Sequence, residues 1–402
     1  MPSILFINRV YPPDSGATGR VLEHAAQGFS NAGWDVSVLA TTSSRENVGD
    51  DLRKGIRIVR IGIPFSKKNM IARAFGYAVM IPGLLLQALR LPHHDVVVTM
   101  TDPPMLVVIG PMIKWVKGSR LIHWAQDLYP EVAEECEVLS KGGFLPANLR
   151  KLSTWSIQGH DLTLAVGRCM AERLVERGIS SEVIRVVPNA GIERDIEPVQ
   201  HGRSAFREAH GIGDAFVIMY SGNMGRAHDF STVIGAARRL QDRGEKNIVF
   251  LFVGEGPEES FIHRRVSDLK LKNIRFLLPQ PPTTLSASLG TGDLHLVTLK
   301  EGMEGLVVPS KFYGVMAAAR PTLFIGPKES EVAQMIRDHG IGQVIAPGDD
   351  ATLAEVILRY RSEPDRGDRE GNKACNILKD MDLLPLMLSE VNRISLGAKA
   401  LD

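Results

Sequence analysis

The sequence predicts an α/β fold made twice over: two Rossmann-like domains facing each other across a cleft. Three observations carry this reading. Short apolar, β-rich runs alternate with helical stretches along the whole chain, as successive βαβ units require. The pattern stops at a polar break and restarts near residue 216. The chain has 402 residues, more than one hydrophobic core organises, so two domains are expected.

In the first half the predicted strands are Ile4–Asn8, Val36–Ala40, Ile56–Ile61, Val96–Thr99, Leu121–Trp124 and Leu162–Val166. Several are continuous apolar runs, the pattern of strands buried on both faces of a parallel sheet. Between the first two, Gly19–Ala32 carries apolar residues at helical spacing and is closed by Gly33. In the second half the strands are Phe216–Ser221, Ile248–Val253, Ile274–Leu277, Leu294–Thr298, Thr322–Ile325 and Gly342–Ile345. Helices such as Ser231–Asp242 and Glu258–Leu269 separate them. Glu193–Arg203 is polar, contains Pro198 and Gly202, and lacks an apolar period, which makes it the linker. The expected organisation is an N-terminal domain over 1–195, a C-terminal domain over 204–375 and a helical segment over 376–402.

Composition narrows the function. With 47 basic and 46 acidic residues the formal net charge is +1, too little to attract nucleic acid globally. Cys136, Cys169 and Cys375 are far apart and odd in number, which reads as reduced thiols in a cytoplasm. Met1–Ile7 lacks a basic start and a long apolar run, so it reads as a first buried strand and not a signal peptide. Ser66–Leu91 opens with Lys67, Lys68 and Arg73 and continues largely apolar, broken by Pro82 and Gly83. Two readings stand: a buried helix pair on the N-terminal sheet, or a basic amphipathic patch on an anionic membrane surface.

Four constellations carry chemistry. Pro12–Arg20 follows the first strand, and its Gly16 and Gly19 let the backbone approach a bulky anion; a plain tight turn is the other reading. Tyr220–Asp229 occupies the same place in the second half, with Gly222, Asn223 and Gly225 in the loop and Arg226 to supply charge; a turn capped by Asp229 is the other reading. Glu301–Tyr313 packs carboxylates, glycines and Lys311 at a strand-to-helix junction. Amides in the stretch of Gly305, Leu306 and Ser310 would cradle a diphosphate, Lys311 would neutralise leaving charge, and Glu301 or Glu304 would hold sugar hydroxyls; the other reading is a charged surface loop. His123–Glu131 ends an N-terminal strand, where Asp127 and Glu131 would order hydroxyls or help remove a proton, and His123 packs as a neutral core histidine. Neither a Ser-His-Asp order, nor a zinc spacing, nor a P-loop lysine is present.

Together these residues resemble the family 4 retaining glycosyltransferases of the GT-B fold. Within that family they are similar to the subgroup that assembles bacterial surface polysaccharides, including N-acetyl-fucosamine transferases. The matching stretches are Tyr11–Pro13 with the following glycines, Asp127–Pro130, Val187–Asn189, Ser221–Gly225, Val253–Pro257 and Gly305–Pro321. The sequence departs at three points. Asn223 and His228 stand where many members carry an Arg and a Lys that grip the diphosphate, with Arg226 as the substitute. Gly314 stands where many carry the second of two glutamates.

The resemblance implies a UDP-linked sugar donor held by the C-terminal domain, a saccharide or polyprenyl-linked acceptor held by the N-terminal domain, retention of configuration, and neither metal nor cofactor beyond the nucleotide-sugar. Arg226 and Lys311 would take the diphosphate charge, Glu255 would lie near the nucleoside, and Asp127 and Glu304 near the sugars. The tail from about Asn376 would cross back to the N-terminal domain. The expected location is cytoplasmic, at the inner-membrane surface. Two alternatives of the same architecture stay open: a UDP-sugar 2-epimerase and a non-catalytic binding subunit.

Overall fold

The computed structural model describes residues 1–14, 16–44, 47–63, 70–193, 195–199 and 205–399, without the side chains of 70–74 and 396–399. Ser15, the Ser66–Asn69 start of the basic stretch, the linker residues 200–204 and the terminal 400–402 lie outside this set. The chain forms two compact units. One contains Met1–Ile192, Gly305–Val307 and Asp382–Asp402; the other contains Glu193–Glu304 and Val308–Met381.

The first unit is built on β1 (Ser3–Ile7), β2 (Asp35–Thr42), β3 (Gly49–Arg53), β4 (Ile56–Gly62), β5 (Val96–Thr99), β6 (Arg120–Ala125), β7 (Leu162–Ala165) and β8 (Ile184–Val186). They form one sheet in the order β3-β4-β2-β1-β5-β6-β7-β8, parallel except for the antiparallel β3–β4 pair. The apolar runs take the centre because they are covered on both faces. Two short strands escaped the sequence reading, and both are sheet edges. β3 is Gly-Asp-Asp-Leu-Arg and almost wholly exposed, and β8 has three residues. Neither has an apolar period to detect.

Helices α1 (Ala17–Asn31), α2 (Met70–Arg90), α3 (Gly110–Lys117), α4 (Glu131–Glu135), α5 (Phe144–Gln158) and α6 (Arg168–Glu176) connect these strands. The expected helix pair at 66–91 is a single helix, α2, with Pro82 inside it. Proline deletes the bond to the carbonyl of Ala78. Both residues face outward, where water takes over that carbonyl, so the helix continues. Met80, Leu84 and Ala88 form its buried side.

The second unit carries β9 (Phe216–Ser221), β10 (Ile248–Val253), β11 (Ile274–Leu277), β12 (Leu294–Thr298), β13 (Thr322–Ile325) and β14 (Gly342–Ile345), each at the bounds the sequence predicts. The sheet order is β11-β10-β9-β12-β13-β14, parallel throughout. The helices are α7 (Ala205–Ala209), α8 (Ser231–Asp242), α9 (Glu259–Asp268), α10 (Leu285–Gly290), α11 (Lys311–Ala317), α12 (Glu331–His339), α13 (Asp350–Ser362) and α14 (Pro364–Lys379). The last helix, α15 (Leu383–Lys399), belongs to the first unit. There Leu383, Met387 and Val391 join the core beside Phe6, Phe29 and Trp34.

In both sheets the strand order reverses beside the first strand, between β1 and β5 and between β9 and β12. Ligands of open α/β sheets bind outside the strand carboxyl ends at such a reversal.

Candidate functional site

At the reversal in the second unit, two loops meet: one follows β9, the other follows β12. The Lys300 N–H donates to the Ala227 carbonyl at 2.8 Å and ties them together. Lys311, at the start of α11, sends its ammonium between Tyr220 and His228. Its Nζ donates to the Tyr220 hydroxyl, lies 3.3 Å from His228 Nε2, and sits 3.8 Å from the centre of the Tyr220 ring. The hydrogen-bond roles follow from chemistry. His228 Nδ1 is 2.5 Å from the Thr298 carbonyl; a carbonyl only accepts, so Nδ1 carries the proton and Nε2 accepts from Lys311. The Tyr220 hydroxyl donates to the Asn223 carbonyl at 2.8 Å, so it too accepts from Lys311. In the protonated form two of the three ammonium N–H groups are then engaged, and the third has no partner among the described residues.

Burial governs the charges here. It holds the Lys311 ammonium well below the ordinary lysine range. It also holds His228 well below the ordinary imidazole range, with the Lys311 charge adding to the effect. A dianion arriving at Lys311 would reverse its penalty, because the new attraction favours the protonated form.

Glycines form the floor of this site. Gly222 and Gly254 both have left-handed φ angles, +132° and +137°. A Cβ on Gly254 would fall 2.2 Å from the Gly222 carbonyl oxygen, and one on Gly256 would fall 2.5 Å from that of Met224. The two turns interlock through Gly222 N–H to Val253 O at 2.9 Å, Met224 N–H to Glu255 O at 2.9 Å and Glu258 N–H to Met224 O at 3.0 Å. This interlock holds Gly222, Asn223 and Glu255 in one pair of turns, and of the three Gly222 lies against Lys311. A Cβ on Gly222 would come within 3.6 Å of Lys311 Cε. Arg226 is exposed in the same loop and has no partner among the described residues. Asp229 accepts from the Ser231 N–H at 2.9 Å, capping the start of α8. Ser310 immediately precedes α11 and makes no side-chain cap bond; Glu304 is half-buried in the turn before Gly305. Gly314 faces Ile196 and Leu289, an apolar setting that offers no partner to the glutamate absent there.

In the first unit, Gly16 caps α1, and both Gly16 and Gly19 press on Val10, a Cβ at either lying 3.0 Å from Val10 Cγ1. Asp127 lies two residues past the end of β6, and its N–H donates to Thr101 Oγ1 at 3.3 Å. Burial, with the charge of Asp102 adding, pushes its carboxyl up to about 7. A cavity of about 10 Å³ lies beside it, lined also by Thr101, His123, Tyr129 and Arg177, room for about one water. Asp127 bridges Val307, and the Leu128 N–H donates to the Leu306 carbonyl at 2.9 Å. Gly305 is glycine for want of space: its φ is +73°, and a Cβ would meet the Cys169 carbonyl at 2.7 Å. Glu131, expected beside Asp127 in function, is committed to Arg150 at 2.9 Å and Arg177 at 3.6 Å. His123 is buried with Nδ1 3.2 Å from the Thr99 carbonyl and is held neutral by burial.

The sequence reading missed Tyr220 and His228 as partners of Lys311. The available signal was His228 itself, eight residues after Tyr220 in the loop that follows β9.

Two family models match the chain: a glycosyl transferase 4-like domain over residues 16–190 and glycosyl transferases group 1 over residues 202–376. The chain is similar to a probable glycosyltransferase of Pseudomonas aeruginosa, WbjE, at 27% identity over 302 residues, 73% of each chain. It is also similar to the putative colanic acid biosynthesis glycosyl transferase WcaI of Escherichia coli K12, at 27% identity over 210 residues, 52% of this chain and 51% of that one. Among solved structures, Anabaena HepE in complex with UDP and glucose matches with a TM-score of 0.74 at 14% identity, covering 98% of this chain and 100% of that one. At such identity the likeness is one of fold.

Proposed function

The chain belongs to the glycosyltransferases of the GT-B fold, and from that premise we propose that it moves a sugar from a UDP-linked donor to a lipid-linked or growing saccharide acceptor, with retention of anomeric configuration, in bacterial surface-polysaccharide assembly at the inner face of the membrane. The donor half of this reading is supported by HepE, whose structure holds UDP and glucose. The pathway half is supported by WcaI, a putative colanic acid biosynthesis glycosyl transferase.

One observation carries the proposal: the buried Lys311 ammonium, with an N–H to spare, above the interlocked glycine turns of Gly222 and Gly254. In this reading the diphosphate sits on Lys311 and on the amides near Gly222 and Ser310, with Asn223 and Arg226 at the rim. Glu255 faces the nucleoside and Glu304 the sugar. Asp127 orders the acceptor hydroxyl and helps remove its proton, and the backbone at Gly16, Gly19, Gly305 and Leu306 shapes the surroundings. As the bond from the sugar to UDP breaks, negative charge grows on the diphosphate, and Lys311, held in place by Tyr220 and His228 and kept protonated by the bound dianion, stabilises it in a poorly solvated site. No metal takes part in this scheme.

Purified protein incubated with a panel of UDP-sugars and membrane-lipid acceptors should form a glycosylated lipid, unaffected by chelator. Lys311→Ala should lower kcat about 100-fold or more, and Arg226→Ala should lower it less. Transfer unchanged in both variants would remove the site assignment. Conversion of the UDP-sugar without acceptor would replace transfer by epimerisation.

A further inference from the structure

We infer that the outer faces of α2, α3 and α5 form one docking surface for an anionic phospholipid leaflet. The inference rests on the proposed membrane acceptor and names the part of the chain that meets the membrane.

The three helices follow β4, β5 and β6 and lie side by side on the first sheet. Lys117 Nζ on α3 donates to the Leu91 carbonyl, just after α2, at 2.7 Å. Lys114 Nζ donates to the Gly159 carbonyl, just after α5, at 3.3 Å. Their inner sides are core: Met80 and Leu84 of α2, Ile113 of α3 and Ile157 of α5. Their outer sides should be polar, yet they are not. On α3 the exposed positions are Met112, Trp115 and Val116, with Trp115 86% exposed. On α5, Phe144 is 88% and Trp155 60% exposed, with Leu152 between them on the same helical face. On α2, Phe75, Val79 and Leu86 recur at helical spacing.

Charge selects the occupant. None of the three helices contains an Asp or Glu, although acids are as common as bases in the whole chain. Arg90 and Lys151 are exposed and lack a partner among the described residues. Lys114 of α3 is paired with Asp161, and Arg150 of α5 with Glu131, which leaves Arg90 and Lys151 as the exposed unpaired charges of these helices among the described residues. Tryptophan and aliphatic side chains on acid-free helices with such cations match a bilayer interface, where indole rings lie at headgroup level and basic residues meet anionic lipid. Among the described residues no helix is long and apolar enough to cross a membrane, so the face lies on the bilayer.

Tryptophan emission tests this directly. Trp34 and Trp124 are 5% and 0% exposed, so any blue shift on vesicle addition must come from Trp115 and Trp155. The full chain should shift and co-sediment with phosphatidylcholine vesicles containing phosphatidylglycerol, and much less with phosphatidylcholine alone. Trp115→Phe with Trp155→Phe should abolish the shift. Lys151→Glu should weaken binding about fivefold, and Trp155→Glu about tenfold or more. Both charge variants should keep their circular dichroism and their transfer to a detergent-dispersed acceptor. Absence of a shift with anionic vesicles would overturn the inference, as would a shift that survives loss of both exposed tryptophans. Concentration-dependent self-association abolished by Trp115→Glu would overturn it in favour of a second copy of the chain. Transfer in detergent without vesicle binding would defeat this surface alone, whereas vesicle binding without transfer would defeat the proposed reaction alone.

Discussion

Asp127 lies just past the end of β6 with its carboxyl pushed up to about 7 by burial and by the neighbouring charge of Asp102. Asp102 is itself held by Arg9 through two bonds of 2.6 and 2.9 Å, which explains why burial is the larger cause. The sign for stability follows. An unfolded Asp loses its proton near pH 3.9. The folded protein keeps it to about pH 7, so between those values the folded state binds more protons and stability falls as pH rises. Above the folded value the full cost is present, about 4 kcal/mol at most and less for a carboxyl that is not wholly shielded. Asp127→Asn should therefore leave the first unit's stability nearly unchanged at pH 4 and raise it by about 2 kcal/mol at pH 8, read by urea titration at both values. A substitution equally neutral at both would show that this carboxyl is well solvated. Lys311 differs in how readable it was: its place in Pro309-Ser310-Lys311 marks it in the sequence, but Tyr220 and His228 lie 91 and 83 residues away, and only the β9–β12 adjacency brings them to it.

Two glycine positions separate space from backbone freedom. Gly256 has no left-handed φ, yet a Cβ there would meet the Met224 carbonyl oxygen at 2.5 Å and nitrogen at 2.6 Å. These are backbone atoms in an interlocked turn and cannot yield cheaply. Gly256→Ala should destabilise the second unit by about 1–3 kcal/mol and weaken UDP binding by prying apart the turns beneath Lys311. Gly314 lies inside α11, where a Cβ would find Ile196 and Leu289 at 3.7 and 3.9 Å, ordinary contact distances. Gly314→Ala should stabilise by about 0.5–1 kcal/mol, because alanine loses less backbone freedom in a helix. Thermal melts of the two variants should move in opposite directions, and the same direction for both would refute the packing argument. Legibility followed the same physics at this scale. The six strands of the second sheet were readable because β-branched, aromatic and aliphatic residues are concentrated in them between turn residues. β3 was not, because it is an exposed edge whose stability comes from pairing with β4, aided by Arg57 and Asp50 across the pair. In α2 the Pro82-Gly83 pair suggested a break, since sequence alone did not say that the lost bond faces outward.

At the scale of the molecule, the chain's order and its packing disagree at the end. Residues from Asp382 onward follow the second unit but belong to the first, where the Leu383 N–H donates to the Ala190 carbonyl at 3.1 Å. Leu383, Met387 and Val391 are fully buried in the core that α1 and β1 supply. Packing is close enough that a Cβ on Gly28 of α1 would strike Leu384 at 2.3 Å. Each buried side chain of this kind is worth about 1.5–3 kcal/mol, and the three together rival the roughly 5–15 kcal/mol that holds a domain folded. A chain truncated after Met381 should thus lose the cooperative unfolding transition of its first unit while the second unit melts as before. Met387→Ala should give an intermediate loss of about 2–5 kcal/mol in the first transition only. Calorimetry reads both, and limited proteolysis should leave a fragment close to Glu193–Met381. The truncated chain should still bind UDP through the Lys311 site and yet transfer no sugar, because the unit assigned to the acceptor is unfolded. An unchanged first transition would mean that α15 contributes nothing to that core, and UDP binding lost with it would move the donor site out of the second unit.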